Sequence, residues 1–366
     1  MTLSGRNRYI FIQFAYEIAY WVFILLVYVV LRYGGSYSSH PEVVVFYDKL
    51  STTDLVLYTV AGGVFLGGLL ATLRLFLYRK MCKKYSVGRS ILWQTFANLM
   101  VFTFLVIIYI LLHSFRLGYT IYDVQYFLTD YYSLPALVIL LGFFTYASLQ
   151  FSLLLEADKK LGMNVLANLL LGKYHYPKQE NRIFMFLDMK DSTKTAEALG
   201  HLKYSRYLQN IFKLLTEIVI DSKAEIYQFV GDEVVLTWKS EIGYKNNNAL
   251  HLFYSFQKLL EANKAYFNNN YGVTPVFKAG IHRGEVSVAE VGEINTQIAF
   301  HGDVVNTTSR IQELCNVYNT NLLVSEKFMK GMKIRPTNYK ENAAEISLRG
   351  RKQPVKIYTF ETANTK

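Results

Sequence analysis

The sequence predicts two parts. A membrane domain of four transmembrane helices occupies residues 1–155, and an α+β domain with a sheet covered by helices occupies 181–366, joined by a helical linker at 156–180. Three observations carry this. Of 366 residues, 52% are hydrophobic and 18% charged, against roughly 25% charged in an ordinary soluble domain. The apolar residues crowd the first 155 positions. Beyond Arg182 short apolar runs alternate with longer amphipathic ones, the signature of strands and helices sharing one core.

Four apolar runs, Tyr9 to Tyr33, Leu55 to Tyr78, Ile91 to Leu112 and Leu134 to Leu155, each reach the length of about 20 residues that a hydrocarbon core demands. Basic residues set the expected orientation, because Lys and Arg stay on the cytoplasmic side. Arg6 and Arg8 precede the first run, and Arg79, Lys80, Lys83, Lys84 and Arg89 lie between the second and third with no acid among them. The other two connections hold Glu42, Asp48, Asp54, Asp123 and Asp130 against Lys49 and Arg116, and should face outward. The expectation is therefore a multi-pass protein of the cell (inner) membrane, in contact with lipid, with both termini and the polar half in the cytoplasm. The first run is too long for the core of a cleavable signal peptide and should remain as an anchor.

Many aromatics fall near the run ends, Tyr20 and Trp21 among them, where an apolar ring with a polar tip suits the interface. Glu17 is the one acid well inside a run, which makes it either a functional carboxylate or one that snorkels to the surface. Gly62, Gly63, Gly67 and Gly68 offer a face on which another helix can pack closely. Net charge divides as +5 and +6 between the two halves, so neither is a polybasic nucleic-acid surface. Two cysteines, Cys82 and Cys315, in segments of different character give no support to a disulfide framework.

The linker EADKKLGMNVLANLLLG places Ala157, Leu161, Val165 and Leu169 on one helical stripe and reads as a continuation of the fourth run. Gly172 and Pro177 end it. IFMFLDM then reads as a strand, YSRYLQNIFKLLTEIVI as a helix, EIYQFVGDEVVLTW as a hairpin about Gly231 and Asp232, and NALHLFYSFQKLLEANKAYF as one helix. VFKAGIHRG and EVSVAEVG read as two strands and DVVNTTSRIQELCNVY as a helix; NLLVS, a short helix at Glu326 to Met332, AAEISLRG and PVKIYTF close the domain.

Two acids stand out. Asp188 ends an apolar strand and Asp232 follows 44 residues later at a hairpin turn. A carboxylate at a strand end is accessible while its backbone stays rigid, as divalent-ion binding requires. The His residues, including His282 and His301, show no zinc-ligand spacing.

FMFLDMKDST, YQFVGDEVVLTW, KAGIHRGEVSVAEVG and HGDVVNTTSRIQEL together resemble, in order and spacing, the class III nucleotidyl cyclase catalytic domain over about residues 180–362. The polytopic half before it is similar to that of membrane-anchored bacterial members. The resemblance implies a ferredoxin-like catalytic core and a head-to-tail homodimer. It makes Asp188 and Asp232 the carboxylates for two Mg²⁺ or Mn²⁺ ions, with the carbonyl of Met189 a further ligand. Asn306 matches the residue that orients the ribose, and Arg310, one helical turn on, the residue that stabilises charge on the α-phosphate. Ser192 and Thr193 open a helix facing the phosphates. Arg351 stands where the family has a phosphate-binding lysine. In the shared site the metal pair comes from one subunit and Gln228, Asn306, Arg310 and Arg351 from the other.

Three positions depart from the family's pattern. Asp191 stands where relatives often carry Gly. Gln228 replaces the Lys found three residues before the turn Gly in many adenylyl members, and Ala299 replaces their Asp or Thr seven residues before the Asn. A Gln amide can read adenine or guanine, so base selectivity stays open, with a nucleoside triphosphate as substrate and ATP favoured over GTP. The expected activity is conversion of ATP to 3′,5′-cyclic AMP and pyrophosphate, a phosphorus–oxygen lyase reaction. The alternatives are a guanylate cyclase or a membrane receptor that binds nucleotide without turnover. A diguanylate cyclase is disfavoured, because Val230 replaces the first Gly of that family's turn and the NTTSR helix has no counterpart there.

Overall fold

The computed structural model describes residues 5–36, 52–78, 86–116, 134–161, 168, 171–293, 296–332, 344–346 and 354–359. Arg351, Val165 and Leu169 of the linker stripe, the basic residues Arg79, Lys80, Lys83 and Lys84, and all but the ends of the two outward connections lie outside them. The chain divides into two compact units, Tyr9–Leu161 and one formed chiefly by Gly162–Lys366.

The first unit is four helices: α1 (Gly5–Ser36), α2 (Thr52–Leu73), α3 (Val87–Arg116) and α4 (Leu134–Leu161). Each carries a span of 22 to 24 residues long and apolar enough to cross a membrane, that of α2 running on into the π-helical turn that follows it. Gly63 and Gly67 let α2 approach α1 closely, since a Cβ on either would lie within 2.8 Å of the Cα of Val22 or Ile18. Gly62 and Gly68 have open space instead, so only half of the glycine cluster packs.

Trp21 is no interface anchor. It is fully buried and stacks on Phe144 with ring centroids 4.8 Å apart. Glu17 does not snorkel either. It is buried, and its Oε2 accepts from Nε of Arg74 at 2.7 Å. Arg74 opens a π-helical turn, Arg74–Tyr78, at the end of α2. Apolar periodicity could not reveal this pairing, which depends on how two helices face each other.

The second unit begins with β1 (Lys178–Met189), α5 (Ser192–Leu199), α6 (His201–Asp221), β2 (Glu225–Val230) and β3 (Glu233–Lys239). Next come α7 (Ser240–Tyr244), α8 (Asn248–Ala262), α9 (Lys264–Tyr271), β4 (Phe277–Val291) and β5 (Gln297–His301). It closes with α10 (Asp303–Glu313), β6 (Leu322–Ser325), α11 (Glu326–Lys330), β7 (Ala344–Ile346) and β8 (Val355–Thr359). Strand order is β2-β3-β1-β4-β6-β8-β7, with β5 pairing β4. The run β1, α6, β2, β3, α8, β4 in spatial order 2-3-1-4 is the split βαβ, ferredoxin-like arrangement.

β1 is central and covered on both faces, which is why its sequence reads as a continuous apolar run. Ile183, Met185, Leu187 and Met189 join a core with Tyr207, Ile211 and Leu215 of α6 and Leu252 and Phe256 of α8. Phe184 and Phe186 point to the opposite face, among Val235, Val286 and Val304. Asp188 continues that second set by period 2.

Three expected elements differ. β4 is one strand, because β1 pairs it without a break from Lys178↔Val288 to Met189↔Phe277, and Gly284 is carried inside the ladder. The long helix after Asn247 breaks at Asn263 into α8 and α9. α10 stops at Glu313, beyond which buried Cys315 donates its Sγ–H to Ala279 O.

α10 lies almost against the backbone of β4. A Cβ at Gly280 would stand 2.5 Å from Gln312 N and 2.8 Å from Thr308 O, and one at Gly284 would stand 2.5 Å from Val304 Cγ2. The two positions should respond unequally. Gly280→Ala meets immovable helix backbone and is expected to cost about 1–3 kcal/mol, whereas Gly284→Ala meets a methyl group that can rotate. Thermal unfolding of the two variants checks this, with the larger drop expected for Gly280→Ala.

Candidate active site

The end of β1 and the tip of the β2–β3 hairpin meet on the α10 face of the sheet. β1 pairs β3 as far as Leu187↔Val234, which sets Asp188 beside Glu233. The hairpin closes at Val230↔Glu233 with Gly231 at φ 62° in the first central position and Asp232 in the second. A residue with a Cβ is strained at that φ, so the GD pair is turn chemistry as well as site chemistry.

Asp188 Oδ2 takes two contacts. Lys278, opposite it in the β1–β4 register, places Nζ 3.2 Å away, and Gln312 of α10 donates from Nε2 at 3.0 Å. Asp232 is left wanting, since its Oδ2 is buried with no hydrogen-bond partner among the described residues. Burial pushes the Asp232 carboxyl up; a hydrogen bond with Ser192 opposes this, and the neighbouring Asp188 adds to it. Glu233 is pushed up to about 7 by burial and by the charges of Asp188, Asp232 and Glu313, against which Lys278 works. Tyr204, raised to about 12, is held neutral by burial and by the same two aspartates. Three carboxylates thus crowd one place.

A buried oxygen without a donor beside a second carboxylate is the arrangement a hard cation satisfies. No three acidic, His or Cys side chains among the described residues form a ready ligand set. Mg²⁺-type ions are held by one or two carboxylates and complete their shell with water and phosphate oxygens. Met189 is buried at the last position of β1.

Ser192 and Thr193 open α5, and Asp191 before them sits at φ 53°, ψ 32°. That left-handed conformation explains why Gly suits the position and why Asp, which tolerates it, can replace Gly here. Asn306 and Arg310 lie one turn apart on α10, exposed and half-buried respectively. The contact that joins this helix to Asp188 is that of Gln312. Gln228 is exposed on the outer strand β2, directly after a bulge in the β2–β3 register, and Ala299 lies on β5. Their neighbours Tyr227 and Phe300 meet edge to face at 4.9 Å, which ties these two strands together. Buried Arg182 braces the same wall, with ion pairs of 2.7 Å to both Glu180 and Glu225 and its guanidinium 4.7 Å from the Phe300 ring. His282 bonds Ser325 Oγ through Nδ1 at 2.6 Å.

Sequence reasoning missed Lys278, Gln312 and Glu233. Glu233 was visible as an acid beside the turn, but the other two act through register and helix placement.

The catalytic-domain model of adenylate and guanylate cyclases matches residues 175–362, just over half of the chain. The chain belongs to this family. Adenylate cyclase 2 of Rhizobium meliloti is 30% identical over 208 residues, 56% of this chain and 57% of the relative. An adenylate cyclase of Anabaena cylindrica is 23% identical over 183 residues, 48% of this chain and 35% of the relative. The chain therefore spans about half or less of the length of these curated relatives. Among solved structures, a bacterial light-regulated adenylyl cyclase aligns with TM-score 0.49 at 18% identity, over 56% of this chain and 59% of that one. The adenylyl cyclase CyaB from P. aeruginosa aligns with TM-score 0.45 at 18% identity, over 52% and 98%.

The raised carboxyls predict a pH signature. Stability that Glu233 and Asp232 contribute is fully present below the ordinary carboxylate range and is lost as pH rises through their folded values, for Glu233 about 7. Mn²⁺ should therefore raise the thermal midpoint more at pH 8 than at pH 5.5, and Glu233→Gln should flatten the metal-free decline between them. Equal metal stabilisation at both pH values contradicts the cation assignment.

Proposed function

We propose that this chain is a membrane-anchored nucleotidyl cyclase that converts ATP to 3′,5′-cyclic AMP and pyrophosphate as a homodimer, with two Mg²⁺ or Mn²⁺ ions per site. The observation that carries the proposal is the meeting of Asp188, on a rigid central strand, with Asp232 at the hairpin tip, whose buried Oδ2 has no hydrogen-bond partner among the described residues. Residues 1–155 are the anchor, 156–180 the transducing linker and 181–366 the catalytic domain. The Lys and Arg distribution supports placing both termini and the catalytic domain in the cytoplasm.

Divalent ions held by Asp188 and Asp232, with the Met189 carbonyl, would supply Lewis acidity toward the 3′-hydroxyl and the triphosphate. Arg310 carries a permanent charge and answers the negative charge that gathers on the α-phosphate as the 3′-oxygen bonds to phosphorus and pyrophosphate departs. Asn306, one turn earlier, orients the ribose. Ser192 and Thr193, with the backbone N–H groups that open α5, receive the phosphates. Arg351 neutralises the leaving pyrophosphate. Gln228 reads the base edge through its amide, and Ala299 leaves room beside it.

A second copy is supported by the surface of β2. This outer strand exposes Ile226, Phe229 and Val230 at 36%, 48% and 52%, apolar area on an edge strand that a second copy would cover. ATP is preferred to GTP because the curated relatives that resemble this chain are named adenylate cyclases.

Purified protein incubated with ATP or GTP and Mn²⁺, followed by chromatography, tests the reading: cyclic AMP from ATP is expected. Cyclic GMP as the main product would reverse the base assignment, and binding without any product would leave a receptor. Asp232→Ala and Arg310→Ala should each lower activity about 100- to 1,000-fold. Coexpressed, they should recover about a quarter of wild-type activity through one hybrid site per mixed dimer. No recovery in proven heterodimers contradicts the shared site.

A further inference from the structure

Gln312 is 3% exposed, an unusual depth for an uncharged amide unless its polar atoms are used. Its Nε2 donates to Asp188 Oδ2 at 3.0 Å. Its backbone has little freedom, because Gly280 brings β4 so close that a Cβ there would stand 2.8 Å from Gln312 Cα. Gly280 pairs with Phe186, two residues before Asp188 on the same face of β1. Donor and acceptor are thus mounted on the same tightly packed join between helix and sheet. Lys278 Nζ, with its side chain 9% exposed, reaches the same oxygen at 3.2 Å. With two donors on Oδ2, the carboxylate cannot turn freely.

From this geometry we infer that Gln312 is a positioning residue for Asp188. It fixes the rotamer in which the carboxylate takes a divalent ion, and it links that carboxylate to the helix that carries Asn306 and Arg310. The inference rests on the metal pair proposed above and deepens it. Outer partners that orient a ligating carboxylate are worth about 10–100-fold in metal affinity or activity when removed. In the shared-site arrangement α10 serves two centres: Arg310 faces the substrate held by the partner, while Gln312 holds this chain's own metal carboxylate. A helix that only filled space would have no such division.

The test uses the full-length chain and Mn²⁺ alone, with free Mn²⁺ counted by electron paramagnetic resonance. Gln312→Met keeps the side chain's length and removes the donor. Gln312→Asn keeps an amide but falls short of Asp188, and serves if the Met variant unfolds. Either is expected to weaken Mn²⁺ binding about 10-fold while the metal-free thermal midpoint stays close to wild type. Binding within twofold of wild type in a folded variant overturns the inference. Absence of Mn²⁺ binding by the wild type overturns the metal pair itself, so the two failures are distinct.

A second arm places Gln312→Met in one subunit of the Asp232→Ala with Arg310→Ala heterodimer. In the Arg310→Ala subunit, which supplies the metal carboxylates of the live site, it should raise the Mn²⁺ concentration for half-maximal activity about 10-fold. In the Asp232→Ala subunit it should not. Equal effects in both subunits would show a structural role for α10 and overturn the inference.

Discussion

Three carboxylates and one buried ammonium meet where β1 ends against the β2–β3 hairpin. Lys278 answers Asp188 and partly offsets the field at Glu233, but the buried Oδ2 of Asp232 has no donor among the described residues. Crowded acids of this kind oppose folding unless something cationic completes them. The remaining architecture of the domain keeps them together. β1 is fixed by ladders on both sides, Gly231 permits the sharp turn that returns Asp232 to it, and α6 and α8 seal the far face.

The second constraint is the closeness of α10 to the sheet. Because Gly280 and Gly284 offer no side chain, the helix settles against the strand itself, and the positions of Asn306, Arg310 and Gln312 follow from that contact. The wall that carries Gln228 and Ala299 is held differently, by Arg182 between two glutamates and by the Tyr227–Phe300 contact. A buried guanidinium in such a place supports the geometry of the wall more than its stability. The membrane unit repeats the theme with Glu17 and Arg74, an ion pair that sits where neither residue could remain alone.

Much of the fold could be read in the sequence because its signals are local. The apolar runs of the four spans, the alternation about VGDEV and the stripe of α6 each depend on residues near one another in the chain. Asn263 breaks a helix whose apolar pattern runs on, and Gly284 fails to break a strand that β1 supports from Phe277 to Val288. Neither outcome is a local property. The site divides in the same way. Asp188 and Asp232 are visible at a strand end and a turn, while their pairing as metal carboxylates and the roles of Asn306 and Arg310 follow from the resemblance of the motifs to the cyclase family. Lys278 becomes a partner of Asp188 only through the β1–β4 register, and Gln312 only through the packing of a helix on a glycine. Arg74 was likewise hidden within an apolar run until α1 and α2 were seen to face each other.

The central claim is that Asp188 and Asp232 jointly hold cations beside a triphosphate. Anomalous scattering at the manganese edge, from crystals of the protein grown with Mn²⁺ and a non-hydrolysable ATP analogue, tests it most directly. The account predicts two manganese peaks within ligand distance of both carboxylates and of phosphate oxygens. Manganese bound elsewhere, with neither aspartate in any peak's coordination shell, would contradict it.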